Sequence, residues 1–293
     1  MKNIKPYLLA SRPKTLPAAL APVIMGTAMA FADGKGHWPS AILAALGAVF
    51  IQIGTNYAND YYDFVKGTDD HKTRLGPTRA TAAGMVRPRA MRNAFIIAFT
   101  LAAVAGIYLL VRAGWPVAVI GLFSIAAGIL YTGGPFPLGY NGLGDIFVFI
   151  FFGIIAVVGT YYVQALHVNA LVFIAAIAPG LFSVAILAVN NLRDVNDDRP
   201  GGKRTIPVVF GERIGRLEYL LCLLIACLVP LILVLITGDH YFVLLASLVF
   251  LPALPAIRFI YREKPSRVYN KILATTGQLL FLFSVLFSIG WLL

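Results

Sequence analysis

Nine apolar runs, each about 18 to 25 residues long, constrain this chain more than any other feature. A helix of that length crosses the roughly 30 Å hydrocarbon core of a bilayer. Inside that core every backbone N–H and C=O must find its partner within the segment, which a helix provides. The runs lie at approximately 15–32, 39–63, 90–112, 115–132, 144–166, 170–192, 217–236, 241–260 and 272–293. Only 13% of the residues are charged, against roughly 25% in a soluble domain. The fold expected is an all-α integral membrane bundle of nine transmembrane helices. The linkers are too short for a separate soluble unit, so residues 1–293 form a single domain.

The net charge of +11 raises the question of nucleic acid, but the bases do not gather on one face. They sit in short loops between apolar runs, where the positive-inside rule places them. With the N-terminus cytoplasmic and nine spans, 22 of the 24 bases fall on the inner side, leaving only Lys35 and Arg112 outside. This partition puts the C-terminus outside and excludes nucleic acid as the partner; the partner is the bilayer. The N-terminus resembles a secretory leader, with Lys2, Lys5, Arg12 and Lys14 ahead of an apolar run and Ala28-Met29-Ala30 after it. Pro13, Pro17 and Pro22 interrupt that run and further spans follow, so we read it as the first transmembrane helix. Cys222 and Cys227 face different sides of one helix, which speaks against a disulfide or a metal pair.

Topology explains the bases but not the acids, which contribute little to orientation. Eleven of the 13 acids also fall on the inner side, and seven gather in two places. One reads Asn56-Tyr-Ala-Asn-Asp60-Tyr-Tyr-Asp63, followed by Asp69 and Asp70; the other reads Asn190-Asn-Leu-Arg-Asp194-Val-Asn-Asp197-Asp198. Both contain N-x-x-x-D-x-x-D, a spacing that places Asn, Asp and Asp on one face of a helix. Each motif closes a span at its inner end, so the two Asp-motif helices form a pseudo-repeat aimed at one cytoplasmic mouth. Carboxylates at a helix C-terminus are repelled by the helix dipole and by each other, and divalent cations relieve both. All-oxygen ligands favour Mg²⁺, held by one or two carboxylates together with substrate phosphates.

A leaving diphosphate needs further positive charge, which Arg and Lys supply through charge-assisted hydrogen bonds. Lys66, Arg74 and Arg79 follow the first motif, and Lys203 and Arg204 follow the second. A third inner loop, Tyr131-Thr-Gly-Gly-Pro-Phe-Pro-Leu-Gly-Tyr140-Asn141-Gly-Leu-Gly-Asp145, carries no base at all. Its Gly and Pro permit tight turns, and its aromatic rings can shield a carbocation through their π faces. Tyr140 also suits an ordinary anchoring role at the membrane interface.

Together these segments resemble the UbiA superfamily of intramembrane prenyltransferases, over nearly the whole chain. Within it, the branch that prenylates 1,4-dihydroxy-2-naphthoate is resembled most, through Arg12-Pro-Lys-Thr-Leu-Pro17, Asn59-Asp-Tyr-Tyr-Asp63, Gly76-Pro77-Thr78-Arg79, Tyr131-Thr132, Gly142-Leu-Gly-Asp145, Asn190-Asn-Leu-Arg-Asp194 and Gly202-Lys-Arg-Thr205. Hydroxybenzoate-using relatives often carry Tyr-x-x-Lys after the position of Tyr131, and no such Lys stands here. The resemblance implies two Mg²⁺ ions, held by acids drawn from Asp60, Asp63, Asp69, Asp194 and Asp198. It further implies substrate contacts from Asn56, Asn59, Asn190, Asn191, Lys66, Arg79 and Tyr140, with Lys66, Arg74, Arg79, Lys203, Arg204 and Tyr131 assisting the chemistry. The superfamily pattern N-x-x-x-D-x-x-x-D fits Asn190, Asp194 and Asp198 in the second motif, leaving Asp197 aside. In the first motif it fits Asn59 and Asp63 but then meets Gly67, with Asp69 two residues on, so Asp60, Asp63 and Asp69 remain alternative ligands. The implied substrates are a polyprenyl diphosphate and 1,4-dihydroxy-2-naphthoate, and the implied place is the plasma membrane of a bacterium. The alternatives are another acceptor, such as 4-hydroxybenzoate, or a cation-coupled transporter.

Overall fold

The computed structural model describes residues 4–67 and 75–293, and among these residues every regular element is helical. A short helix α1 (Lys5–Ala10) leads into α2 (Leu16–Ala32), followed by α3 (Trp38–Val65), α4 (Pro88–Ala113) and α5 (Trp115–Leu130). Then come α6 (Gly144–Ala165), α7 (Ala170–Asp198), the short α8 (Ile206–Phe210), α9 (Glu212–Thr237), α10 (Tyr241–Arg262) and α11 (Tyr269–Leu292).

Eight of these segments, counting α1 and α2 as one, are long and apolar enough to cross a membrane. The expected run at 115–132 appears as α5, which has 16 residues and so extends about 24 Å. It is equally apolar but shorter than the roughly 30 Å bilayer core.

Local chemistry accounts for the boundaries. Asn169 and His37 each accept a backbone N–H near the start of α7 and α3, from Val172 and Ser40 respectively. Gly114 and Gly238, both at positive φ, end α4 and α9 in a conformation other residues resist. The two Asp-motif helices run further than the hydropathy pattern marks. α3 continues to Val65 and α7 to Asp198, so both motifs are helical throughout.

The bundle is unevenly filled. Met25 of α2, Phe182 of α7, Leu223 of α9, and Phe283 and Phe287 of α11 belong to one continuous core that unites α2, α6, α7, α9, α10 and α11. Glycines bring some of these backbones together: a Cβ on Gly153 would stand 2.8 Å from the Cα of Gly180, and one on Gly26 would stand 2.5 Å from the Val157 carbonyl oxygen. A π-helical turn at Ile150–Ile155 lies within α6 at this crossing. On the other side, α3 and α4 meet in smaller separate clusters, one of Ala58, Phe95 and Phe99 and another of Leu109 and Ala113 with Leu43 and Ala44. Between that pair, α5 and α6, the bundle leaves a cavity.

Candidate active site

The cavity has a volume of about 660 Å³ and its wall changes character along its length. One end is lined by Asn56, Asn59 and Asp63 of α3 and by Asn190, Asn191, Asp194 and Asp198 of α7. Arg12, Arg79, Lys203, Tyr131, Thr132 and Tyr140 complete that polar end. The remainder is lined mainly by Ala, Gly, Val, Leu, Ile and Phe from α2 to α7, with Thr55, Ser124 and Thr160 among them. The two motifs are therefore brought to one chamber, as their matching spacing suggests.

Within the first motif, Asp63 and Asp60 part company. Asp63 faces the chamber, where it pairs with the Arg79 guanidinium and accepts a hydrogen bond from the Tyr140 hydroxyl at 2.9 Å. Asp60 is 2% exposed and lies off the wall; its two carboxylate oxygens accept the backbone N–H groups of Ala80 and Thr81, both at 2.9 Å. Its position ties down the turn that immediately follows Arg79. The face presented to the chamber is thus Asn56, Asn59 and Asp63, at helical spacings of three and four, in place of Asn56, Asp60 and Asp63. Asn59 accepts from Thr132 Oγ1 at 2.5 Å, and Asn56 donates to the Ser11 carbonyl at 2.9 Å.

In the second motif Asp194 and Asp198 both line the chamber, whereas Asp197 is exposed and does not. Asp194 takes a two-pronged contact from its neighbour Arg193, through Nε at 2.7 Å and Nη2 at 2.5 Å. Arg193 is 1% exposed and also donates to Asn190 and Asn270, at 2.7 and 2.8 Å. Asp198 pairs with Lys203 at 2.8 Å. Each chamber carboxylate thus has a cation against it: Arg79, Arg193 and Lys203.

The base-free loop joins the two halves. The ring of Tyr140 lies under two ammonium groups, Lys66 at 5.2 Å and Lys203 at 5.0 Å from its centre, one from each motif's trailing segment. Lys66 also donates to the Thr132 carbonyl at 2.6 Å; it is exposed and off the chamber wall, and its partial burial draws its pKa below the usual lysine value, opposed by Asp63. The Arg204 backbone N–H donates to the Tyr140 carbonyl at 2.8 Å, while its side chain is exposed and away from the wall. Tyr131 is on the wall, where burial and the charges of Asp145 and Asp198 raise its pKa and keep the phenol protonated. Asp69 and Arg74 lie outside the described residues.

Two chamber residues, Arg12 and Thr132, and one behind the wall, Arg193, are not marked by the sequence pattern. Arg193 stands inside the second motif, one position before Asp194, and its signal was an Arg embedded in an acid-rich helix end. Thr132 and Arg12 stood within quoted segments, but nothing in their spacing linked them to the acids. Arg12 adopts a left-handed backbone, φ 51°, which is uncommon for a residue with a side chain.

The donor set suits a hard cation. Carboxylate and amide oxygens of Asp63, Asp194, Asp198, Asn59 and Asn190 offer oxygen alone, the chemistry that Mg²⁺ prefers. Among the described residues no three or more His, Cys, Asp or Glu side chains form a metal cage.

Comparison with known proteins agrees with this geometry. The chain is 38% identical over 259 residues to a 1,4-dihydroxy-2-naphthoate octaprenyltransferase of Mycobacterium leprae, covering 88% of this chain and 87% of that one. It is 39% identical over 294 residues to the protein of the same name from Escherichia coli, covering 97% and 94% of the two chains. Its fold is similar to the structure of a UbiA homolog from Archaeoglobus fulgidus bound to DMAPP and Mg²⁺, with a TM-score of 0.67, 18% identity and 98% of each chain covered. Residues 19–292 match the UbiA prenyltransferase family, and with a chamber that joins two Asp-motif helices to an apolar channel, the chain belongs to that family.

Proposed function

We propose that this protein transfers a polyprenyl group from its diphosphate to 1,4-dihydroxy-2-naphthoate, with loss of CO₂, to give demethylmenaquinol in menaquinone synthesis. The observation that carries the reading is one cavity with carboxylates and cations at one end and an apolar channel leading away, which matches an amphiphile with a diphosphate head and a hydrocarbon tail. The relatives' names supply the acceptor.

Asp63, Asp194 and Asp198, with Asn59 and Asn190 beside them, are the residues we assign to holding Mg²⁺, two ions in all. When bound, Mg²⁺ supplies charge neutralisation for the diphosphate oxygens. Arg79 and Lys203 stand at the same end to donate charge-assisted hydrogen bonds to the departing group. The allylic C–O bond breaks with its electron pair leaving on the diphosphate. The Tyr131 ring on the chamber wall offers its π face to the cation that develops at the prenyl end, and apolar walls keep water from capturing it. A carbon of the electron-rich naphthoate ring then forms the new C–C bond, and departure of CO₂ returns its electron pair to the ring. Asp60 serves by fixing the turn beside Arg79. The remaining assignments, Lys66 and Tyr140 as the clasp of the chamber and Asn56 and Asn191 on its wall, support substrate position.

We assign nine spans to the chain, with α5 as a shortened crossing. The N-terminus is cytoplasmic and the C-terminus outside, in a bacterial plasma membrane. The bases beside both motifs support this orientation.

The test is transfer of a radiolabelled prenyl group in membranes containing this protein, with and without Mg²⁺, to 1,4-dihydroxy-2-naphthoate and to 4-hydroxybenzoate. Mg²⁺-dependent labelling of the naphthoate alone is expected. Labelling of hydroxybenzoate alone would refute the acceptor, and no labelling of either would refute the reaction.

A further inference from the structure

Four helical glycines on the channel wall have no structural partner. A Cβ built on Gly47 of α3, Gly106 of α4 or Gly121 of α5 would meet nothing within 4 Å. One on Gly159 of α6 would meet only the Ile120 Cδ1, at 3.9 Å, an ordinary contact. All four line the cavity, and none adopts a positive φ. Helix packing, the usual reason for glycine in a membrane helix, holds at Gly26, Gly153 and Gly180 but not here. Turn geometry does not hold either, and an interior glycine weakens a helix relative to alanine.

They also share a level. Gly47 is nine residues from Trp38, Gly106 seven from Ala113, Gly121 six from Trp115 and Gly159 six from Ala165. At 1.5 Å per residue each lies about 9 to 14 Å from its helix end opposite the acids. Along α3, Gly47 stands about 14 Å from Asn56 and about 24 Å from Asp63. This is the far part of the channel, several isoprene units from the diphosphate end.

We propose that Gly47, Gly106, Gly121 and Gly159 form a girdle whose missing side chains hold the channel open for the distal isoprene units of a long donor. The girdle is therefore a determinant of donor chain length. This rests on the reading that the apolar channel receives the prenyl tail. Side chains added at the girdle narrow the passage for distal units and leave the first units and the diphosphate chamber as they are.

The experiment compares geranyl and octaprenyl diphosphates as donors to 1,4-dihydroxy-2-naphthoate for Gly106→Leu, Gly121→Leu and the double variant, with Gly→Ala at each position as a folding control. The octaprenyl kcat/KM is expected to fall by about tenfold or more relative to geranyl, the scale at which an apolar pocket discriminates a misfitting methylene. Gly→Ala variants should unfold in detergent at or above the temperature of the unaltered protein. An equal loss for both donors in well-folded variants, or destabilisation by Gly→Ala, would overturn the girdle while leaving the reaction standing. Failure of the unaltered protein to use either donor would overturn both.

Discussion

The hydroxyl of Tyr140 donates to Oδ1 of Asp63 across 77 positions of sequence, at 2.9 Å, while its ring carries the ammonium groups of Lys66 and Lys203. One tyrosine in the base-free loop thus touches the carboxylate of the first motif and the cations that trail both. Tyr140→Phe keeps the ring and loses the donor. A hydrogen bond to a charged group is worth about 1.5 to 3 kcal/mol. Prenyl transfer should therefore fall about tenfold or somewhat more, with unchanged protein in the membrane. Tyr140→Ala, which also removes the ring, should fall further. Activity per unit of protein in membranes checks both.

Asp60 and Asp63 should fail in different ways. Asp63→Asn removes charge from the chamber, and transfer should drop by about 10²-fold or more; because it also takes the charge from the buried pair with Arg79, its melting temperature should fall as well. Asp60→Ala leaves the Ala80 and Thr81 N–H groups without their acceptor. It should cost about 1 to 3 kcal/mol of stability. Titrating Mg²⁺ separates them further: the requirement should rise for Asp63→Asn and stay level for Asp60→Ala. An unchanged Mg²⁺ requirement in Asp63→Asn would remove that residue from the metal assignment.

Arg193 is a buried partner of Asp194, and removing it takes two charge-assisted hydrogen bonds from a carboxylate that is only 7% exposed. Loss of one member of such a pair costs about 3 to 5 kcal/mol. Arg193→Ala should thus unfold at a markedly lower temperature in detergent. Arg193→Lys keeps the charge but cannot reproduce the planar two-pronged contact, and should lie between.

Chelation should abolish transfer, and added Mg²⁺ should restore it. The chamber carboxylates already have Arg79, Arg193 and Lys203 against them. The metal-free protein should therefore stay folded, and its melting temperature should change by no more than a few degrees on adding EDTA. Parallel unfolding and activity measurements check this. Unfolding on chelation would make the ions part of the scaffold.

The apolar runs were sufficient to mark the helices, because a bilayer leaves a spanning backbone few other ways to satisfy its own hydrogen bonds. The repeated Asn and Asp spacing likewise marked the polar end, since helical periodicity places residues four apart on one face whatever surrounds them. What the pattern could not resolve was rotation. Asp60 and Asp63 are separated by only about 60° around the helix axis, and the choice between them was made by the 79–84 turn, whose backbone N–H groups captured Asp60. Nor did composition separate Gly106 from Gly153: one faces the channel and the other a neighbouring backbone, and only the packed bundle distinguishes them. Local hydropathy and helix period determined from the sequence alone that this chain is a helical membrane bundle with a paired acidic end. Which acids face the chamber, which arginine neutralises Asp194 and how wide the channel stays were decided by tertiary structure, because each depends on atoms from helices far apart in the chain.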